Sequence, residues 1–159
     1  MTQIEATDAR LDWNAYLKIA PEVIAALGAI GKAVAQSGLE SELIELVKIR
    51  ASQLNGCAFC IQYHLNDSRK LGIAPEKLDL LAAWRDAGVY SAREKAALAW
   101  TERVTLLAQQ HIDDEAFDSV SAHFSERELM LLTAAIGQIN FWNRLGAPFR
   151  FTPPIPRSA

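Results

Sequence analysis

The residues of this chain best suited to chemistry are its only two cysteines, Cys57 and Cys60, which enclose Ala58 and Phe59. A Cys-x-x-Cys pair can close an intramolecular disulfide, and a helix N-terminus beside it stabilises a thiolate over a thiol. His64 follows Cys60 by four residues, which places its imidazole over the same face of a helix. The spacing therefore predicts redox chemistry at a dithiol.

Two other interpretations of this cluster stay open at this point. The cysteines could be a pair of small buried hydrophobic side chains without any chemistry. Together with His64 they could also bind zinc, but a closed structural zinc site needs four ligands and the motif lacks a second Cys or His pair. A catalytic or redox-sensing dithiol is favoured because both cysteines of the chain fall in one motif, and because thiols in the cytosol are kept reduced.

The dithiol lies at the junction of two predicted helices. Apolar periodicity, first-turn prolines, terminal glycines and two capping boxes predict helices along the whole chain, with no convincing strand. The predicted helices cover residues 21–36, 40–55, 58–71, 75–87, 91–110, 113–123 and 126–145. We therefore expect an all-α fold, a single domain over residues 1–159 with a helical bundle of about six to seven helices. Prolines from residue 148 onward predict an extended tail over about residues 148–159.

The length, charge and apolar runs of the chain argue against several classes of protein. A chain of 159 residues is long enough for one cored domain, and its net charge of −3 with a pI near 5.6 argues against nucleic acid as a partner. Residues 1–13 carry acidic side chains and no apolar core, so they do not resemble a targeting peptide. No run reaches the roughly 18 to 20 apolar residues that a membrane span needs. These features predict a soluble, cytoplasmic protein with no membrane contact.

A longer motif connects the dithiol to a known family. Glu45 precedes Cys57 by twelve residues, which gives the pattern Glu-x11-Cys-x2-Cys-x3-His ending at His64. With this pattern the chain resembles the AhpD-like alkylhydroperoxidases of the carboxymuconolactone decarboxylase superfamily. The similarity has its motif core at residues 40–72, extends to residues 97–102 and 140–145, and covers roughly residues 21–154.

The resemblance implies a thiol-dependent peroxidase with the AhpD-like helical fold. In that family the second cysteine, here Cys60, attacks the peroxide, and the first, here Cys57, resolves the sulfenic acid into a disulfide. His64 and Glu45 would then be the proton relay. The resemblance implies no bound cofactor and no metal, a small peroxide as substrate, and an external dithiol carrier of lipoyl or thioredoxin type as reductant. Phe59 stands where the family often has His.

The superfamily leaves two alternatives to a peroxidase. One is a carboxymuconolactone-decarboxylase-like lyase, against which the intact dithiol argues. The other is a non-catalytic, redox-responsive oligomer. Fold alone does not decide among these activities, because one fold hosts many functions.

Helix geometry allows two interpretations of Glu45. It points away from the main apolar stripe of its predicted helix, which would leave a solvated carboxylate. Ile49 and Ser52 lie on the same side as Glu45, however, and an isoleucine there indicates that another helix or subunit covers this face. Such cover would half-bury Glu45 and raise its pKa toward a value useful for a relay.

Four further residues lie near the motif or near the predicted core. Arg50 falls near the apolar stripe, where a guanidinium needs a partner, so we expect a structural ion pair. Asp67 follows His64 by three residues and could orient the imidazole, although a solvated helix face is the favoured interpretation. Trp142 and Asn143 are candidates to line the pocket.

The last predicted helix is apolar nearly all round, and half of all residues are apolar. Apolar faces of this size on a soluble protein need cover, which closed homo-oligomers commonly supply. The family resemblance points to trimers or hexamers. We therefore expect a cyclic homo-oligomer, either a trimer or a dimer of trimers. A neighbouring subunit would form part of the wall of the active-site pocket.

Overall fold

The structure is a computed structural model that describes residues 9–156, and throughout those residues the regular secondary structure is helical. The α-helices are α1 (Trp13–Ile19), α2 (Pro21–Ala35), α3 (Ser41–Leu54), α4 (Ala58–Leu71), α5 (Pro75–Asp79), α6 (Ala92–Thr105), α7 (Asp114–Ser121) and α8 (Glu126–Gly146), with a short 3₁₀ helix at Leu81–Ala83. The all-α prediction is confirmed. The described part has eight α-helices where about six to seven were expected, chiefly because α1 escaped the sequence analysis.

Helix α3 lies at the centre of the bundle, packed against α4, α6 and α8. Its side chains are buried on every side: Leu46, Val47, Ile49 and Ala51 are at most 1% exposed. A single apolar stripe is therefore too narrow a description of α3. The helix is therefore part of the core. A charged side chain on it needs an ion-pair or hydrogen-bond partner, because burying an unpaired charge costs a large desolvation free energy.

Helix α4 begins where the sequence predicts. Cys57 is its N-cap and Cys60 lies in its first turn, and the Sγ atom of Cys57 accepts a hydrogen bond from the backbone N–H of Cys60 at 3.3 Å. The helix ends at Gly72, whose φ of 78° is a left-handed conformation that glycine adopts without strain. Both cysteines are thus held at a helix N-terminus, as the motif requires.

The single helix predicted over residues 75–87 is wrong. The chain instead forms the short α5, then the 3₁₀ helix and a turn. Leu78, Leu81 and Trp84 recur every three residues and are all buried, at 8%, 0% and 5% exposure. The short α5, the 3₁₀ helix and the turn thus each place one of these side chains in the core.

The expected ion pair of Arg50 is confirmed. Its Nε donates to Oε1 of Glu102 at 2.8 Å, and the indole N–H of Trp84 donates to the same oxygen at 2.8 Å. This arrangement ties α3 to α6 and satisfies a guanidinium that is otherwise largely buried. Arg50 is a structural residue and lies outside the cavity described below.

The two ends of the described chain lie together. Asp12 caps α1 by accepting from the N–H groups of Asn14 and Ala15, and the backbone N–H of Arg10 donates to the carbonyl oxygen of Phe149 at 3.0 Å. The tail after α8 makes turns over residues 147–150 and has no regular secondary structure over residues 151–156, and it packs against the bundle, since Phe151 is only 3% exposed. The predictions for residues 1–8 and 157–159 lie outside the described residues.

Among the described helices, none combines the length and apolar character needed to cross a membrane. Helix α8 leaves large apolar side chains at the surface of the single chain, with Met130 73% and Phe141 44% exposed. Such residues are what the expected homo-oligomer would cover, and that assembly stays a prediction.

Candidate redox site

Cys57 and Cys60 are joined by a disulfide in the structure, with their Cα atoms 5.4 Å apart. The pairing of these two cysteines, which the motif makes possible, is therefore present as a disulfide. The two sulfur-bearing residues differ in access: Cys57 is 0% exposed, and Cys60 is 3% exposed. This difference decides which sulfur a small molecule can reach.

A cavity of about 300 Å³ opens in front of Cys60. Cys60 and His64 both lie in its wall, whereas Cys57 does not. The remaining lining is mostly apolar and aromatic, including Trp13, Phe59, Trp142 and Phe151, with Lys48 and Gln138 adding polar atoms. A molecule that enters the cavity thus meets the Cys60 sulfur beside an imidazole, in largely apolar surroundings.

The buried Glu45 pairs with the partly buried His64 across α3 and α4. Oε2 of Glu45 lies 2.7 Å from Nδ1 of His64, and Nζ of Lys48 donates to Oε1 of Glu45 at 2.9 Å. Burial alone would raise the pKa of the Glu45 carboxyl, but the hydrogen bonds and charges of His64 and Lys48 lower that pKa below its ordinary value of 4.5. The carboxylate is therefore ionised at neutral pH.

An ionised carboxylate can only accept hydrogen bonds, so Nδ1 of His64 must donate to Glu45. In the neutral ring the other nitrogen, Nε2, is then a hydrogen-bond acceptor. A carboxylate that fixes the tautomer of a histidine in this way is a recurrent arrangement in proton transfer. The geometry allows His64 to exchange protons with a molecule in the cavity while Glu45 holds the ring.

Two expectations about Glu45 are corrected by this geometry. It was expected to be half-buried with a raised pKa, but it is only 7% exposed and its pKa is lowered. The cover predicted from Ile49 and Ser52 exists, and α4 of the same chain supplies it. The sign of the pKa shift differs because His64 and Lys48 both contact this carboxylate, and together they outweigh the effect of its burial on the pKa.

Metal binding is disfavoured by the donor set. One ligand atom each from Glu45, His64 and Asp67 lies within 4.8 Å of the others. The ammonium of Lys48, however, sits directly on the Glu45 carboxylate and would repel a cation, and Asp67 pairs with Lys70 at 2.7 Å. The alternative zinc set would need the two cysteine thiolates, which here are bonded to each other.

Asp67 does not hydrogen-bond His64, because Glu45 orients the imidazole instead. Trp142 lines the cavity as anticipated. Asn143 does not line it: this side chain is 1% exposed and bridges Asn55 and Ser52, its Oδ1 accepting at 2.9 Å and its Nδ2 donating at 2.9 Å. Asn143 thus anchors the end of α3, immediately before Cys57.

Gly146, the last residue of α8, lies directly against the disulfide. A Cβ atom at this position would come within 2.7 Å of the Cys57 sulfur and 3.1 Å of the Cys60 sulfur. A separation of 2.7 Å is shorter than real contacts allow, and the fully buried Cys57 has no room to move away. Only glycine lets α8 approach the cysteine pair this closely.

We expect Gly146→Ala to lower the free energy of unfolding by about 1–3 kcal/mol, since the added methyl group overpacks a closed site. Gly137→Ala is the matched control on the same helix, because a Cβ at Gly137 meets no atom within 4 Å. That control should be neutral or stabilising by up to about 1 kcal/mol, as alanine favours helix. Urea denaturation of the two variants measures both. Equal stabilities would contradict the close approach of α8 to the cysteines.

Sequence reasoning missed several residues of this site. Lys48 gave no signal beyond its position three residues after Glu45, a spacing that brings side chains together on a helix. Trp13 and Phe151 come from the two ends of the described chain, and no local pattern relates them to Cys60. Gly146 looked like an ordinary residue near a helix end.

Comparison with known proteins gives a consistent result. The sequence model described as the carboxymuconolactone decarboxylase family matches residues 21–103. The uncharacterized protein YdfG of Bacillus subtilis strain 168 is 41% identical over 130 residues, which cover 82% of this chain and 88% of YdfG.

Solved structures with the same fold include an Agrobacterium tumefaciens protein of unknown function, described as a putative antioxidant defence protein AhpD. It is 40% identical, superposes with a TM-score of 0.87, and the match covers 94% of this chain and 100% of that one. The debrominase Bmp8 superposes with a TM-score of 0.74 at 21% identity, over 86% of this chain and 74% of its own. At that identity the likeness to Bmp8 shows the fold alone.

Proposed function

This chain belongs to the carboxymuconolactone decarboxylase family, and from that premise we propose that it is a dithiol-dependent oxidoreductase that reduces hydroperoxides. The observation that carries the proposal is the asymmetry of the two cysteines: Cys60 opens onto a cavity shared with His64, while Cys57 is sealed behind it. A nucleophile that substrate can reach and a resolving thiol that it cannot reach are the two parts that such a cycle needs.

The first step is attack by the Cys60 thiolate on one oxygen of the hydroperoxide. The S–O bond forms and the O–O bond breaks, which leaves a sulfenic acid on Cys60 and an alkoxide, or hydroxide, as leaving group. The Cys60 thiol gives its proton to Nε2 of His64 as the thiolate forms, and the leaving oxygen then takes that proton from Nε2 while Glu45 holds Nδ1. The α4 N-terminus stabilises the attacking thiolate.

In the second step the Cys57 sulfur attacks the sulfenic sulfur of Cys60. The S–S bond forms, the S–O bond breaks, and the oxygen leaves as water after accepting a proton. The product of this step would be a disulfide between Cys57 and Cys60, the bond that the structure contains. Because Cys57 adjoins Cys60 in the closed interior, this condensation would outpace further oxidation of the sulfenic acid.

The cycle needs two electrons from an external dithiol, for which we propose a carrier of lipoyl or thioredoxin type and a reducing compartment such as the cytoplasm. The dithiol would attack the Cys60 sulfur, since this is the sulfur in the cavity wall, and Cys57 would leave as a thiolate. Exchange at the disulfide then returns both cysteines to the reduced state.

The proposal is tested by thiol counting and peroxide consumption. The reduced protein should lose two thiols on treatment with a hydroperoxide and recover them with a dithiol, and a panel of dithiol reductants should sustain peroxide consumption. A mixture of reductant and peroxide without protein is the control. Unchanged thiols would favour a lyase. Thiols that are lost and not recovered by reductant would favour a non-catalytic, redox-responsive protein.

A further inference from the structure

Within residues 9–156, Lys48 is the residue in the cavity wall whose side chain carries a permanent charge. The side chain is only 21% exposed, in a wall that is otherwise mostly apolar. An ammonium group in such surroundings loses hydration, so a partner has to compensate for the loss. The partner is Glu45, whose Oε1 accepts a hydrogen bond from Nζ of Lys48 at 2.9 Å.

A second lysine makes an ion pair with the same spacing in the opposite setting. Nζ of Lys70 lies 2.7 Å from the carboxylate of Asp67, three residues earlier, just as Lys48 pairs with Glu45 three residues earlier. The side chains of Lys70 and Asp67 are 75% and 35% exposed, against 21% and 10% for Lys48 and Glu45. A pair that is open to water contributes little. The pair of Lys48 is screened far less, and it acts on the carboxylate that also holds His64.

The two oxygens of Glu45 have different partners, Lys48 at Oε1 and Nδ1 of His64 at Oε2. The carboxylate therefore cannot rotate without breaking a charge-assisted hydrogen bond. Its charge matters as well as its orientation. A protonated Glu45 could donate to Nδ1, which would place the ring proton on Nε2 and remove the acceptor that the Cys60 thiol needs.

We propose that Lys48 is a positioning residue of this site: it keeps Glu45 ionised and turned toward His64, so that Nε2 of His64 stays ready to accept the Cys60 proton. The inference rests on the proposed thiol chemistry at Cys60. His64 cannot replace Lys48 in this role, because its own charge changes each time it takes and returns a proton. Lys48 keeps its charge throughout and makes no contact with the proton that moves.

Removal of the Lys48 charge should move the pH dependence of Cys60 reactivity upward. Burial raises the pKa of the Glu45 carboxyl, and His64 and Lys48 lower it. Without Lys48 that pKa is higher, so the carboxylate is lost at a higher pH as the pH falls. A neighbouring opposite charge changes a carboxyl pKa by about 1–3 units.

The other charged groups around Glu45 are the same with and without Lys48. Helix α4 presents His64, and a carboxylate oxygen of Asp67 lies within 4.8 Å of the pair, with its charge offset by Lys70. Within residues 9–156, α6 and α8 bring no charged side chain into a salt bridge with Glu45. A change in the pH profile on loss of Lys48 is therefore assigned to Lys48.

The test measures the rate at which iodoacetamide alkylates Cys60 in the reduced protein over a series of pH values, with mass spectrometry to locate the label. Methionine and arginine have helix propensities close to that of lysine, so Lys48→Met and Lys48→Arg should fold, which urea denaturation checks. We expect Lys48→Met to move the midpoint of the profile up by about one pH unit or more, with roughly tenfold slower alkylation below the midpoint. Lys48→Arg should restore the wild-type profile, since arginine stays charged. Lys70→Met, the matched control, should leave it unchanged.

A double variant shows whether Lys48 acts through Glu45. In a Glu45→Gln background, Lys48→Met should produce almost no further shift, because the group through which it acts is gone. A shift of equal size in both backgrounds would mean that Lys48 acts without Glu45, and the proposal would be overturned. A folded Lys48→Met protein with the wild-type profile, or with a rate lowered equally at every pH, would overturn it too.

Alkylation requires no peroxide, which separates this inference from the proposed function. If Lys48→Met shifts the profile and Lys48→Arg restores it while the wild type consumes no hydroperoxide, the role of Lys48 stands and the peroxidase proposal fails. If the wild type consumes hydroperoxide and the Lys48→Met profile is unshifted, the peroxidase proposal stands and the role of Lys48 fails.

Discussion

Replacement of Cys60 by serine should abolish peroxide turnover, whereas Cys57→Ser should permit a single attack and then stop. Only Cys60 lies in the wall of the cavity, and the fully buried Cys57 has no direct path to substrate. Without Cys57 the sulfenic acid on Cys60 has no neighbouring thiol with which to condense, so it persists or oxidises further to sulfinic acid. Mass spectrometry of peroxide-treated variants would show these added oxygens on Cys60.

The two serine variants are matched controls for each other, since each removes one sulfur from the same turn. Cys60→Ser should gain no oxygen at Cys57 under conditions that oxidise Cys60 in the other variant. Sustained turnover by Cys57→Ser without an added thiol would rule out the two-cysteine mechanism. Oxidation of Cys57 in the Cys60→Ser protein would reverse the assigned roles.

The parts of this molecule that could be predicted from sequence are those governed by local rules. The start of α4 at the cysteines follows from a turn between two apolar-periodic runs, and the starts of α6 and α8 follow from capping boxes at Ser91 and Ser125 that the structure confirms. Each of these signals involves residues at most a few positions apart. The proximity of Cys57, Cys60 and His64 is local for the same reason.

The parts that escaped prediction depend on contacts between distant segments. Helix α1 has seven residues, too few for apolar periodicity to define, and its role in the cavity depends on the tail that carries Phe151. The burial of Glu45 depends on α4 folding back onto α3, and its lowered pKa depends on two partners meeting there. Gly146 acquires its importance only when α8 reaches the disulfide.

Substitutions in the proposed proton relay should have the second large effect on the rate of peroxide reduction. Glu45→Gln and His64→Gln should each lower the rate of peroxide reduction, since a positioned proton donor contributes about 10²- to 10⁴-fold. Glutamine in place of His64 has no titrating nitrogen for the leaving oxygen. Glutamine in place of Glu45 removes the ionised carboxylate that fixes Nδ1 of His64 as the donor, and it leaves the ammonium of Lys48 unpaired. Stopped-flow measurement of the first oxidation of the reduced protein isolates this step.

Asp67→Asn is the matched control, because it makes the same carboxylate-to-amide change near His64 at a residue whose salt bridge within residues 9–156 is to the exposed Lys70. An exposed pair of this kind is worth little, so both rate and stability should stay close to those of the wild type. The double variant of Glu45 and His64 should lose less than the product of the two single losses, since groups that act as one unit are non-additive. Fully multiplied losses would mean that Glu45 acts on the reaction independently of His64, and the hydrogen bond between them would then have no part in moving the proton.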